Sequence, residues 1–251
     1  MDLHLRSIIA VFSMLLAASP MAGATDLIIN GDFENGTKGQ LGLAGSLASW
    51  TSGSVPSGGS ALNFLLDTTY AQAPFNATFM MPPITTSKTL AGPNNGNSNG
   101  FTGSPNGGNF LGAQVGSFVG PFSQTVNGLT IGTDYELKFE WAIASLTDAT
   151  LNITGGWNID FGGSQASTAT KSISAKAFSG WDYYNYTFTA ANSSQTLTFQ
   201  PIGNAAGGFA LLDSVQLREV IPVPEPSTYA LGAVAMGVMA ALARRRKAAG
   251  R

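Results

Sequence analysis

Tyr135, Leu137, Phe139, Trp141 and Ile143 alternate with Glu136, Lys138, Glu140 and Ala142. Successive side chains of a β-strand point to opposite faces, so a period of two prescribes a strand with one face in a core and the other in water. The period recurs where Trp157, Ile159 and Phe161 enclose Asn158 and Asp160. Tyr184, Tyr186 and Phe188 enclose Asn185 and Thr187, and Leu197 and Phe199 alternate with Thr196 and Thr198. Phe209, Leu211, Val215 and Leu217 mark a closing strand; Leu27 to Asn30, Asn109 to Ala113 and Phe122 to Val126 read as further strands. Gly, Asn, Ser and Thr fill the intervals, and no internal stretch keeps helical periodicity beyond two turns. Many short strands separated by turn signals predict an all-β fold, a single β-sandwich of the jelly-roll kind.

The two ends follow other rules. Met1 to Ala24 combines a basic start at Arg6, an apolar stretch from Ile8 to Ala18, and the small residues Ala22-Gly23-Ala24. That order is a secretory signal peptide, with signal peptidase as its processing partner and Ala22 and Ala24 flanking the small position of the cleavage site. The mature chain then begins near Thr25. At the other end Val223-Pro224-Glu225-Pro226-Ser227 precedes an apolar run from Tyr229 to Ala243, followed by Arg244, Arg245, Arg246 and Lys247. As a helix that run reaches about 22 Å, against about 30 Å of bilayer hydrocarbon, which suits a transient membrane span better than a lasting one. The basic cluster is expected to stay cytoplasmic, leaving residues 25–222 outside as the folded domain and 223–251 as the tail.

Composition removes several functions. Residues 25–222 hold six Lys and Arg against twelve Asp and Glu, so the domain is near −6 although the whole chain is −2. A charge-poor acidic surface has no electrostatic reason to bind nucleic acid. The only histidine, His4, lies in the signal peptide, and there is no cysteine. Nucleophilic catalysis with a histidine base, and zinc or copper sites of the usual His/Cys kind, are therefore unavailable to the mature chain. An enzyme would have to work through carboxylates. Asp148, Asp160 and Asp182 are the candidates for a glycosidase pair, yet nothing in their spacing brings two together, and the expectation is a non-catalytic domain.

The tail's order of proline-acid-proline, short apolar helix and arginine cluster resembles the PEP-CTERM sorting signal of Gram-negative bacteria. The resemblance implies processing by exosortase and residence in the cell envelope or the extracellular matrix of exopolysaccharide-producing, biofilm-forming bacteria. Leu27-Ile28-Ile29-Asn30-Gly31-Asp32-Phe33-Glu34-Asn35-Gly36, with Trp50 downstream, resembles the opening of galactose-binding-like jelly rolls, among them many carbohydrate-binding modules. Gly128-Leu129, Tyr135-Glu136-Leu137 and the closing Leu211 to Leu217 fit the same pattern.

Four places invite a functional reading. Asp213 shares parity with Phe209, Leu211, Val215 and Leu217, which predicts an inward carboxylate in need of a partner. The jelly-roll resemblance implies a structural calcium held by Glu34 and Asp213, with Asp32 a weaker third; the alternative is an Asp213 that accepts backbone hydrogen bonds without metal. Trp181, Asp182 and Tyr183 could form a sugar-stacking platform with Tyr183 outermost, or Trp181 could cap the sandwich edge. Gly92 to Gly108, with six glycines, five asparagines and two prolines in 17 residues, is either a solvated loop or one that faces a ligand. Trp141 and Trp50 are expected in the core. The expected function is recognition or structure, with extracellular polysaccharide as the partner; a carboxylate-dependent glycoside hydrolase and a surface adhesin without a small ligand are the alternatives.

Overall fold

The computed structural model describes residues 24–42, 45–54, 61–67, 75–76, 87–116, 119–204, 207–221 and 226–249. Short strands come first: β1 (Gly36–Thr37), β2 (Gly39–Gln40), β3 (Ser46–Leu47), β4 (Thr51–Ser52), β5 (Asn63–Asp67), β6 (Phe75–Asn76) and β7 (Ser87–Lys88). Longer ones follow: β8 (Asn109–Val115), β9 (Phe122–Asn127), β10 (Asp134–Ser145), β11 (Ile153–Phe161), β12 (Ser164–Ser167), β13 (Lys171–Ile173), β14 (Asp182–Thr189), β15 (Ser194–Gly203) and β16 (Gly208–Glu219). A helix, α1, spans Pro226–Ala249. Twelve of these strands form two antiparallel sheets, one ordered β14-β10-β16-β8-β5-β2 and the other β12-β11-β15-β9-β4 with β13 also on β11, while β1 pairs with β3 and β6 with β7. The all-β sandwich expected from the alternation is what forms.

The main core lies between the sheets. Leu137, Phe139, Trp141 and Ile143 of β10 meet Trp157, Ile159 and Phe161 of β11 and Leu197 and Phe199 of β15. Phe199 stands edge-on to Phe139 at 5.2 Å and 89°, and to Trp157 at 6.0 Å and 84°. Each such side chain removed from water contributes about 1.5–3 kcal/mol. Trp157 also ties the sheets together through a hydrogen bond, its Nε1 donating to the Leu211 carbonyl of β16 at 3.1 Å. Trp50 and Trp141 are buried as expected, Trp50 stacked on Phe122 at 4.6 Å and 8°.

A second apolar layer covers the outer face of the first sheet, where the alternation had predicted water. Phe64, Leu66, Phe110, Ala142, Ala144, Phe209 and Leu211 pack there beneath Phe101, with Phe178 and Trp181 partly buried against them. Glu140 and Ala142, read from the sequence as facing water, are both buried. The segment Gly92 to Gly108 is part of this cover. It holds a 3₁₀ turn at Pro93–Asn95, and it buries Phe101 and Ser104.

β16 changes face partway along. Its register against β10 slips between the pairs Lys138–Gln216 and Glu140–Asp213, leaving one extra residue on β16, and Ser214 has φ 55°. Such a bulge reverses the parity of everything beyond it. Phe209 and Leu211 therefore join the outer layer, while Val215 and Leu217 join the main core. Asp213 is buried as expected, but beside Glu140 under the cover and not in the main core with Val215.

Leu27 to Asn30 forms no strand. It lies alongside β16 through Leu27 N to the Leu217 carbonyl, 2.9 Å, and Asp26 bridged to Arg218, before positive φ at Asn30 and Phe33 turns the chain away. α1 starts at Pro226 and continues through the arginine cluster to Ala249, beyond the 229–243 run expected from hydropathy. Proline suits a first helical turn, whose N–H groups lack partners anyway. Among the described residues no helix is long and apolar enough to cross a membrane. The signal peptide through Gly23, including Ala22, and Val223, Pro224 and Glu225 of the tail lie outside the described residues; Ala24 is the first described residue.

Replacing Trp157 with alanine is expected to cost about 3–5 kcal/mol, through the cavity and the Leu211 carbonyl left without its donor. Denaturant melts of the variant and the parent measure it, and a loss below about 1 kcal/mol would contradict this account of the core.

Candidate functional site

The outer face of the second sheet is polar where β11, β12 and β15 run side by side. Cross-strand register assembles Ser167, Asn158 and Gln200 into one row, and Gln165, Asp160 and Thr198 into the next. These six line a cleft of about 380 Å³ together with Ile159 and Ala166. The turn Gly162–Gly163, with φ 62° and 93°, closes the β11–β12 hairpin, and Gly163 N donates to Asp160 Oδ1 at 3.0 Å, which holds that carboxylate at the cleft wall. Two parallel rows of amides, hydroxyls and one carboxylate, without a basic side chain, can donate to and accept from a polyhydroxylated chain. The alternation did mark Asn158, Asp160 and Thr198 as facing water; it could not show that β12 and β15 flank β11 in this register.

A second polar cluster sits under the cover of the first sheet. Glu140 on β10 lies opposite Asp213 on β16, at 2% and 1% exposure. Ser104 Oγ donates to Glu140 Oε2 at 3.0 Å and Asn106 Nδ2 to Glu140 Oε1 at 3.2 Å. Asn106 also reaches Ser214 Oγ at 2.5 Å, and Ser214 N donates to Asp213 Oδ1 at 2.6 Å. Burial pushes the Asp213 carboxyl up to about 7; bonds from Ser104 and Ser214 oppose this, and the charges of Glu140 and Glu34 add to it. The Tyr183 phenol is raised through its hydrogen bond to Glu140. Sequence reasoning missed Glu140 and Ser104 because their burial comes from a distant loop.

Glu34 and Asp213, the residues first expected at a calcium site, each accept a hydrogen bond from a backbone N–H. Glu34 Oε1 accepts from Asn109 N at 2.6 Å, Asp213 accepts from Ser214, and Asp32 is exposed at the rim of a separate cleft of about 360 Å³ that Asn106 and Ser214 also line. Among the described residues no group of three or more His, Cys, Asp or Glu side chains could hold a metal ion.

Trp181, Asp182 and Tyr183 adjoin this cluster without forming one platform. Trp181 is half-buried, edge-on to Phe110 at 5.7 Å, with Nε1 donating to the Thr102 carbonyl at 3.1 Å. Asp182 is exposed and pairs with Lys171 at 3.5 Å, while Tyr183 is 73% exposed. The hydrolase candidates stay apart by element: Asp148 follows β10 in a turn, Asp160 lies on the second sheet and Asp182 opens β14 of the first.

Residues 222–247 match a family model described as the PEP-CTERM protein-sorting motif. The tail is a PEP-CTERM sorting motif. It implies an exported protein, processed by exosortase and sorted to the cell surface. No curated protein matches the chain. Among solved structures, the CBM22-1 xylan-binding domain of Paenibacillus barcinonensis Xyn10C is similar at 12% identity and TM-score 0.38, over 80% of this chain and 98% of that one. A structure titled CBM4 structure and function matches at 12% identity and TM-score 0.31, over 77% and 99%. The enzymatically active domain of bacteriophage CBA120 tailspike protein 4 matches at 13% and 0.37, over 78% of this chain, which spans only 21% of that longer one.

The raised Asp213 carboxyl has a signed consequence for stability. Between 3.8, its ordinary value, and about 7, the folded protein holds a proton that the unfolded chain has released. Stability is therefore expected to fall as pH rises from about 4 to about 7, by on the order of 4 kcal/mol at most, and this slope should flatten in Asp213→Asn. Urea melts across that range measure it; equal slopes in variant and parent would contradict the assignment.

Proposed function

We propose that this exported protein, sorted through its PEP-CTERM tail to the cell envelope or extracellular matrix, uses its sandwich as a non-catalytic module that binds extracellular polysaccharide. The observation that carries the reading is the pair of polar rows across β12, β11 and β15. Within each row neighbouring side chains stand one strand separation apart, about 4.8 Å. The cleft has no lysine or arginine and the domain is near −6, so a neutral glycan is favoured over an acidic one. The buried state of Glu140 and Asp213 supports a non-catalytic role, since neighbouring carboxylates that substrate cannot reach do not cleave a glycosidic bond.

Affinity electrophoresis of the full chain through gels containing neutral polysaccharide, acidic polysaccharide or the native host's exopolysaccharide tests this. Retardation is expected with a neutral polymer. It should weaken about thirtyfold in the double variant Asn158→Ala, Gln200→Ala, the loss of two hydrogen bonds of about 1 kcal/mol each. No retardation by any polymer, or retardation that the double variant leaves unchanged, overturns the assignment.

One observation favours a second reading, a surface packing protein without a glycan ligand. Edge strands β2 and β4 have two residues each and β12 has four, whereas β14 leaves an eight-residue edge with Tyr183 and Tyr186 exposed. Long uncovered edges pair with other chains. Sedimentation velocity of the full chain is then expected to show concentration-dependent self-association that Asn185→Pro abolishes; a monomer at all concentrations excludes this reading.

A further inference from the structure

Both ends of the sandwich leave it at one pole. Asp26 stands opposite Arg218 near the end of β16, Leu217 N donates to Asp26 Oδ1 at 2.9 Å, and Leu27 N donates to the Leu217 carbonyl at 2.9 Å. The chain entering at Ala24 and the chain leaving at Ile221 therefore run side by side. They line one cleft of about 210 Å³ together with Thr130 of the β9–β10 turn. Val220 N ties the end of that turn to the same pole by donating to the Asp134 carbonyl at 2.8 Å.

The tip of this pole is apolar. Outside α1, the large aliphatic side chains exposed among the described residues are Ile29, Ile131, Leu151, Val220 and Ile221. Ile131 at 66%, Val220 at 42% and Ile221 at 39% all belong to the pole. Ile131 is presented by a tight turn: Thr133 N donates to the Thr130 carbonyl, and Gly132, with φ 79°, donates its N–H to the Ala190 carbonyl at 2.7 Å. Leu151 is as exposed as Ile131 but lies at the opposite end. β10 starts just after Ile131 and ends before Leu151, and its 12 residues span about 37 Å.

What the pole meets is set by the chain that leaves it. α1 exposes Val234, Met236, Val238, Met239 and Leu242, and then Arg244, Arg245 and Arg246. An apolar helix that ends in a basic cluster partitions to a bilayer, with its arginines at the level of the phosphates. Only residues 222–225 separate Ile221 from Pro226, where α1 begins, and fully extended they reach at most about 18 Å. A bilayer that takes up the start of α1 is thus within that distance of Ile221, and the far end of β10 is not. Asp26, Asp134 and Glu219 against Arg218 leave the pole slightly acidic, which suits a zwitterionic lipid surface better than a strongly anionic one.

We propose that the pole carrying Ile131, Val220 and Ile221 is a lipid-facing surface, seated on a zwitterionic bilayer for as long as α1 is attached. The sandwich then stands on end, with β10 running away from the lipid and the polar rows of β11, β12 and β15 on its flank. The contact belongs to the uncut chain, because three side chains without the helix bury too little apolar area to hold a domain on lipid. It rests on α1 reaching a bilayer and is independent of glycan binding.

The chain has no cysteine, so Thr130→Cys and Thr150→Cys each create one site for an environment-sensitive dye while leaving Ile131 and Leu151 in place. Both threonines are exposed. The labelled full chains are bound to phosphatidylcholine vesicles that contain a lipid with a quencher at headgroup level. Quenching is expected to be at least threefold stronger for Thr130→Cys than for Thr150→Cys. Adding Ile131→Ser and Val220→Ser, both at exposed positions, should cut the quenching of Thr130→Cys at least twofold, while α1 keeps the same fraction of protein on the vesicles. Equal quenching at the two sites of bound protein overturns the proposal, as does quenching of Thr130→Cys that survives the serine substitutions. A full chain that stays off the vesicles overturns it too, and then the fault lies with the tail; in none of these cases does the result bear on retardation by polysaccharide.

Discussion

Everything in this fold follows from the need to cover both faces of the first sheet. β10 and β16 pair along most of their length at its centre, and each carries apolar side chains on both sides over part of its run. One face is closed by the second sheet, with Trp157 reaching across to the Leu211 carbonyl. Among the described residues no third sheet is seen to close the other. It is closed by connecting chain, above all the segment Leu90 to Gly108 and the residues Phe178 and Trp181. A glycine- and asparagine-rich stretch thus does the work of a structural layer, and it can do so because its own side chains satisfy the backbone: Asn95 bonds Gly92 N and the Leu90 carbonyl, and Asn99 bonds the carbonyls of Ala91 and Lys176.

Covering the sheet in this way creates its most unusual electrostatics. The bulge at Ser214 turns Asp213 toward the cover, opposite Glu140, and the cover then excludes water from both. Elsewhere the domain keeps its charges at the surface, in pairs such as Lys138 with Glu136 and Arg218 with Asp26. Such pairs contribute little to stability. The buried acids are different in kind, because they lie opposite each other out of water beneath a covering loop. Among the described residues the second sheet has no such layer on its outside, and its polar rows line a cleft.

The sequence reading succeeded where one strand's own pattern decides the matter and faltered where a neighbour decides. Trp157, Ile159 and Phe161 needed no partner to be placed inside, and neither did Leu197 and Phe199. Glu140 has the same alternation as Glu136 and Lys138, yet it is buried while they remain at the surface, because Ser104 and Asn106 descend on it from more than thirty residues away. Asp213 was correctly expected to be buried, with the wrong neighbours, since one extra residue in β16 is invisible to a rule of period two. In the cleft the residues were legible as outward-facing, and their assembly into rows was not, because register belongs to pairs of strands.

By itself, the sequence determined the class of the fold, the acidic and cysteine-free composition, and the sorting tail with its proline-acid-proline motif and arginine cluster. These are local or additive properties, readable one residue or one short segment at a time. Only the tertiary structure decided which face of β16 each residue occupies, that a polar loop seals an apolar face, that two acids share one buried site, and that six polar side chains from three strands line one cleft. Those are relations between segments far apart in the chain, and they are set by packing, which brings together what no spacing along the sequence records.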